Sequence, residues 1–188
     1  MIPCFITART QSTRLPGKHM LPLGNSCVIE HVVQRCEHFG FRPILCVPES
    51  DREAFNDVTS CIDVFGGDPD NVEARLIECA HAFKETVFHH LDGDDPFFDE
   101  YAVVDSWNSA AAGIARVKPS YQSETGSGRV GTTYNLHPQA KGERKLADRM
   151  ERHVWPQRLT LDDEEDYWLI ATVDRLAGGY VAPRWAVD

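Results

Sequence analysis

Three features of the 188-residue sequence predict an α/β fold with a doubly wound, mostly parallel sheet. Strand-like and helix-like segments alternate through the first half. The strand candidates are short, continuous apolar runs, the pattern of strands buried on both faces. Charged loops follow the first and fourth of these runs, at the carboxyl edge where such sheets bind ligands.

The elements follow in order. Residues 2–7 are the first buried strand. A polar, basic loop comes next and closes on Pro16-Gly17-Lys18. A helix starts near Ser26, where Val28, Ile29, Val32, Val33, Cys36 and Phe39 recur at helical spacing until Gly40 ends it. Residues 43–47 are a second strand, and Ser50-Asp51-Arg52-Glu53 has the form of a capping box opening a second helix. Residues 62–65 are a third strand. Asp70-Asn71-Val72-Glu73 starts a helix with Val72, Leu76, Cys79, Ala80 and Phe83 on one face. Residues 86–91 are a fourth strand, ending in the acidic turn Asp92-Gly93-Asp94-Asp95-Pro96. A helix is expected over 100–115. This β-α alternation implies a parallel sheet with helices on both faces.

The second half is less regular. Residues 117–122 and 130–135 suit strands, with a Gly/Ser-rich turn over 123–131. Residues 142–153 are charged and suit a helix. Residues 158–161 form a short strand running into the acidic start, 162–166, of a final helix that Gly178-Gly179 stops. No linker divides the chain, so residues 1–188 are expected to form one domain.

Composition narrows the partners. The formal net charge of −10 argues against non-specific nucleic-acid or anionic-membrane binding, so a phosphate site must be a local basic island. None of the six cysteines forms a C-x-x-C pair, and most lie in apolar runs, which suits a reducing cytoplasm. Met1 leads into a strand-like run without a basic leader, and no apolar stretch approaches ~20 residues, so neither a signal peptide nor a membrane span is expected. His89 and His90 adjoin on a strand and face opposite sides, while His31 and His38 lie two helical turns apart, so a histidine metal centre is not expected.

The loop after the first strand carries the strongest chemistry. Residues 8–18 offer Arg9, Arg14 and Lys18 with Thr10, Ser12, Thr13 and the free backbone of Gly17, a set suited to a nucleoside triphosphate. It is not a P-loop, because Ser12 stands where that motif needs glycine and His19 follows Lys18. Ala8 through Lys18 does resemble the A-R-x-x-S-T-R-L-P-G-K loop of sugar cytidylyltransferases. These include the 3-deoxy-manno-octulosonate, acylneuraminate and spore-coat polysaccharide types. Gly93-Asp94-Asp95-Pro96 resembles their G-D-x-P turn, and Arg158 to Asp166 resembles their R-L-T-x-D-x-x-E-D segment.

The resemblance implies a nucleotide-diphospho-sugar transferase-like, Rossmann-like fold. It also implies Mg2+-dependent transfer of CMP from CTP to a sugar, with pyrophosphate released. The acceptor it implies is an acidic 2-keto sugar, or a related sugar used for surface polysaccharide. Arg14 and Lys18 would hold the β- and γ-phosphates, with Ser12, Thr13 and Gly17 as further donors. Ala8 and Arg9 would line the base pocket, and Asp68, Asn71 and Arg75, after the third strand, would add to it. Asp94 and Asp162 would hold Mg2+. Arg129 and His153 are the weaker candidates for the sugar.

Each acidic residue also has a plain structural alternative. Asp, Gly and Pro are ordinary turn residues, and Asp162 with Glu165 has the spacing of a helix capping box. The interval 99–157, which in relatives holds sugar-recognition strands and a dimerisation arm, is short here. A homodimer is therefore an expectation from the resemblance alone. Two other functions stay open: a nucleotidyltransferase for another nucleotide and a phosphonate, polyol or sugar phosphate, or a nucleotide-binding module without turnover.

Overall fold

The computed structural model describes residues 1–58, 62–119, 131–146 and 159–177. Strand β1 (Pro3–Thr7) leads through the loop and a 3-10 turn (Lys18–Met20) into a two-strand ribbon, β2 (Pro22–Leu23) and β3 (Ser26–Cys27). Helix α1 (Val28–His38) follows, then β4 (Arg42–Pro48), a 3-10 turn (Glu49–Asp51), α2 (Arg52–Val58), β5 (Asp63–Gly67) and α3 (Val72–Phe83). After β6 (Val87–Asp92) come α4 (Glu100–Ala111), β7 (Ile114–Pro119), β8 (Thr132–Asn135), β9 (Lys141–Leu146) and α5 (Glu164–Ala177).

The seven-stranded sheet has the order β5-β4-β1-β6-β8-β7-β9. β5, β4, β1 and β6 run parallel, whereas β8 is antiparallel to both β6 and β7. The chain moves outward from β1 to β4 and β5, then returns to place β6 on the other side of β1. That reversal is the switch point of a doubly wound sheet, and it opens a crevice beyond the carboxyl ends of β1 and β6.

Both sheet faces are packed, which accounts for the unbroken apolar strands. On one face Cys4, Ile6, Leu45 and Val47 meet Val32 and Cys36 of α1, Phe55 of α2 and Val103 of α4. On the other, Phe5, Ile44, Cys46 and Phe88 meet Leu76, Cys79 and Ala80 of α3. Each fully buried Leu, Ile or Phe contributes about 1.5–3 kcal/mol against an exposed reference. A third cluster joins Leu23, Val28 and Phe97 to Leu159, Leu161, Ile170 and Val173, with Leu15 and Leu21 against it. It seats α5 beside the opening loop, and so carries a C-terminal segment to the switch point.

Four local expectations are corrected. Residues 142–153 do not start a helix: β9 (Lys141–Leu146) pairs parallel with β7, and Lys118 reaches Glu143 at 3.1 Å across the strands. Alternating charges on an edge strand leave one side solvated, so its charge content resembles that of an exposed helix. α4 ends at Ala111 rather than 115, where Gly113 turns with φ 104°, and β7 accordingly starts at Ile114. The Ser50–Glu53 box gives way to the 3-10 turn Glu49–Asp51. Residues 159–161 form no strand; they lie along the turn after β6, with Leu161 N–H donating to Asp94 O at 2.8 Å. No helix among the described residues is long and apolar enough to cross a membrane.

Candidate active site

The loop after β1 is folded by its own backbone and by one outside carboxylate. Gly17 adopts φ 69°, which favours glycine, and its N–H donates to Thr10 O at 3.1 Å, closing the loop. Asp51, on the turn after β4, accepts from Thr10 N–H at 2.8 Å and from the Thr10 hydroxyl at 2.9 Å. His19, almost fully buried, donates from Nδ1 to Arg9 O at 2.9 Å. Burial lowers its pKa to about 4, with the Asp94 charge opposing, so the ring is neutral and holds the loop as a donor.

The turn after β6 closes on the same point. Gly93 N–H donates to Thr7 O at 2.9 Å, and a Cβ at Gly93 would stand 2.8 Å from that oxygen and 2.9 Å from Ile29 Cδ1. Only glycine lets the turn lie this close to β1. Asp95, buried beside it, accepts from the Thr160 hydroxyl, which ties the turn to residues 159–162.

Lys18 is the meeting point of these pieces. Its ammonium bonds Asp94 Oδ2, donates to Leu161 O at 2.8 Å and lies 3.5 Å from Asp162 Oδ1. Arg14, whose side chain is exposed, reaches the same Asp162 oxygen at 2.7 Å. Arg14, Lys18, Asp94 and Asp162 therefore form one cluster in the crevice between the ends of β1 and β6. The capping alternative for Asp162 falls to its neighbours. Asp163 caps α5 by accepting from Asp166 N–H at 3.0 Å, and Asp166 accepts from the N–H groups of Asp162 and Asp163 at 2.9 and 3.3 Å. Glu165 is exposed.

The other candidates divide. Ser12 and Thr13 lie on the closed loop beside Arg14, and Arg9 is exposed. The Ala8 side chain is buried in the core, so it is not free to line a base pocket. Asp68 and Asn71 are engaged locally: Asp68 Oδ1 accepts from Asp70 and Asn71 N–H at 2.9 and 2.7 Å, and Asn71 caps α3 through Ala74 N–H at 3.0 Å. Those backbone bonds, first of all the one from Asn71, lower the Asp68 pKa. Arg75 is buried, donates to Asp68 O at 2.6 Å and lies within electrostatic reach of Arg9 and Asp51. Arg129 and His153 fall outside the described residues.

Asp51 and His19 were not singled out from the sequence. Neither lies in a recognisable pattern: Asp51 acts from a neighbouring strand's loop, and His19 looks like a departure from the P-loop. A further polar group borders the crevice. Thr7 Oγ1 meets His90 Nε2 at 2.9 Å, and His90 lies 3.5 Å from Asp92 Oδ1. Burial lowers the His90 pKa while Asp92 opposes the shift.

A divalent cation fits this donor set. Two carboxylates from different segments already converge on one positive charge. Among the described residues no group of three or more His, Cys, Asp and Glu gathers, here or at any other point, so two carboxylates are what the protein itself would supply. One or two carboxylates, completed by phosphate oxygens and water, is the arrangement Mg2+ favours.

Comparisons with known proteins point to one family. A family model described as cytidylyltransferase matches residues 4–156, through the middle interval but short of Asp162. The spore coat polysaccharide biosynthesis protein SpsF of Bacillus subtilis (strain 168) is 36% identical over 104 residues, covering 50% of this chain and 43% of that protein. The 3-deoxy-manno-octulosonate cytidylyltransferase of Escherichia coli is 29% identical over 99 residues, covering 48% of this chain and 38% of that protein. The matches thus span less than half the length of either relative. Among solved structures, a cytidylyltransferase from Leptospira borgpetersenii serovar Hardjo-bovis (strain JB197) superposes with a TM-score of 0.76 at 19% identity, covering 93% of this chain and 87% of that one. At that identity the likeness speaks for the fold.

Proposed function

The chain belongs to the cytidylyltransferase family, and from that premise we propose that it transfers CMP from CTP to a hydroxyl of a sugar and releases pyrophosphate, with Mg2+ as cofactor. The observation that carries this reading is the convergence of Arg14, Lys18, Asp94 and Asp162 at the switch point. The acceptor class is an acidic 2-keto sugar, in line with the name of the Escherichia coli relative, a 3-deoxy-manno-octulosonate cytidylyltransferase.

The residues divide the work by charge. Arg14 and Lys18 bind the β- and γ-phosphates and stabilise the negative charge that builds on the leaving pyrophosphate. The hydroxyls of Ser12 and Thr13 add neutral donors, while the Gly17 N–H, expected from the sequence to join them, is engaged by Thr10 O and serves to close the loop. Arg9 and Arg75 border the base. Asp94 and Asp162 would hold Mg2+, which when bound lowers the pKa of a coordinated hydroxyl and neutralises phosphate charge. The acceptor oxygen forms a bond to the α-phosphorus, the bond from that phosphorus to the pyrophosphate breaks, and the hydroxyl proton is released. No covalent protein intermediate is required.

Pyrophosphate release with CTP, UTP, GTP and ATP, across acidic 2-keto sugars, neutral sugars, polyols and sugar phosphates, tests the proposal. Release with CTP and an acidic sugar is expected. Tight binding of Mg·CTP with no release from any acceptor overturns it.

A further inference from the structure

The gap between Asp94 and Asp162 is filled by the chain's own cation. The Lys18 ammonium donates to Asp94 Oδ2 and the Leu161 carbonyl and pairs at 3.5 Å with Asp162 Oδ1. The side chain is almost wholly buried, so this is a built position rather than a surface contact. A divalent cation cannot enter between the same two oxygens while the ammonium stays, because like charges at contact distance in a partly desolvated site repel strongly. Without any cation, the two carboxylates would repel each other in turn.

We propose that Lys18 is a resident counter-ion that holds Asp94 and Asp162 together in the ligand-free protein, competes with the divalent cation for them, and yields them when a nucleoside triphosphate arrives. The inference rests on the assignment of those two carboxylates to the metal. Lys18 and Arg14 stand on the loop that faces the phosphates, so a triphosphate offers both cations new anionic partners. Lysine suits the exchange: it is a point charge on a flexible four-carbon stem and can swing between partners. Transfer of the ammonium from carboxylate to phosphate opens Asp94 Oδ2, and Asp162 Oδ1 opens as the Arg14 guanidinium, which holds it at 2.7 Å, moves to phosphate as well. Nucleotide and metal then bind with positive coupling, and each tightens the other by the same factor. The free protein, by contrast, binds the metal weakly.

Mn2+ binding to the full chain without nucleotide, followed by the electron paramagnetic resonance of free Mn2+, tests this. Lys18→Met is expected to bind Mn2+ at least about tenfold more tightly than the unaltered protein. Adding Asp94→Asn to that variant should abolish the gain. Equal or weaker Mn2+ binding by folded Lys18→Met overturns the proposal. If circular dichroism shows that variant unfolded, the unaltered protein carries the test. Acylation of the Lys18 amine by an N-hydroxysuccinimide ester, read by mass spectrometry, should rise on saturation with Mg2+ alone, and unchanged labelling overturns the proposal. Pyrophosphate release with equal Mn2+ affinities would leave the enzyme reading standing and sink this one. Tighter Mn2+ binding by Lys18→Met, with no pyrophosphate release by the unaltered protein from any acceptor, would do the reverse.

Discussion

Thr10 is strapped to Asp51 by two hydrogen bonds, one from its backbone N–H at 2.8 Å and one from its hydroxyl at 2.9 Å. The strap fixes the loop after β1 to the turn after β4, and with it the direction in which Arg14 and Lys18 point. Charge-assisted bonds of this kind contribute about 1.5–3 kcal/mol each when shielded and less at a partly exposed site. Asp51→Ala is therefore expected to weaken CTP binding by about tenfold while lowering global stability by only about 1–2 kcal/mol. Isothermal titration and urea unfolding of the same preparation separate the two effects.

Asp162 and Asp163 are adjacent and do different work. Asp163→Ala removes the α5 cap and should cost about 1 kcal/mol of stability with turnover retained. Asp162→Asn should lose turnover with little change in stability. Paired unfolding and pyrophosphate assays check the division, and the opposite pattern would return Asp162 to a capping role.

Arg35 is fully buried against Glu100 at 2.8 Å and donates from Nε to Phe98 O at 3.0 Å. Its guanidinium also lies over the Phe39 and Phe98 rings at 4.8 and 5.2 Å. Glu100→Ala would remove the carboxylate that bonds this buried charge and is expected to cost about 3–5 kcal/mol in urea unfolding. Replacing both partners with apolar residues should recover much of the loss, because the charge that needed a partner is gone.

His31 predicts a pH dependence of stability. Burial lowers its pKa from 6.5 to about 4, opposed by Asp174 on α5 and reinforced by Arg35 on its own helix. The neutral ring donates to Asp174 Oδ1 at 3.0 Å. Between pH 4 and 6.5 the unfolded chain binds the proton that the folded chain excludes, so stability rises with pH. The contribution is complete above pH 6.5 and falls by up to about 3 kcal/mol as pH drops toward 4. Urea midpoints at pH 4.5 and 7.0 measure it, and His31→Gln should flatten the difference.

What the sequence disclosed follows from how local each signal is. The parallel core was legible because strands buried on both faces are apolar without interruption, as in Ile44 to Val47. The loop and the Gly93-Asp94 turn were legible because their backbone geometry needs particular residues at fixed spacing. The edge strand β9 was not, since alternating charges on one solvated side satisfy helix and strand patterns alike. Asp51 was not legible either: its role depends on the β1–β4 pairing, which brings together residues with no local pattern in common. Asp162 lay between two uses, and the bond from Asp166 N–H to Asp163 places the α5 cap one residue later.

If CMP transfer runs at the carboxylate–lysine cluster, it depends on Asp94. Pyrophosphate release from CTP, measured side by side for the unaltered protein and Asp94→Asn with Mg2+ and a productive acceptor, tests it most directly. The expected result is a loss of about 100-fold or more in the variant, with its circular dichroism unchanged. Near-normal release by folded Asp94→Asn would contradict the assignment of the metal site and the mechanism built on it.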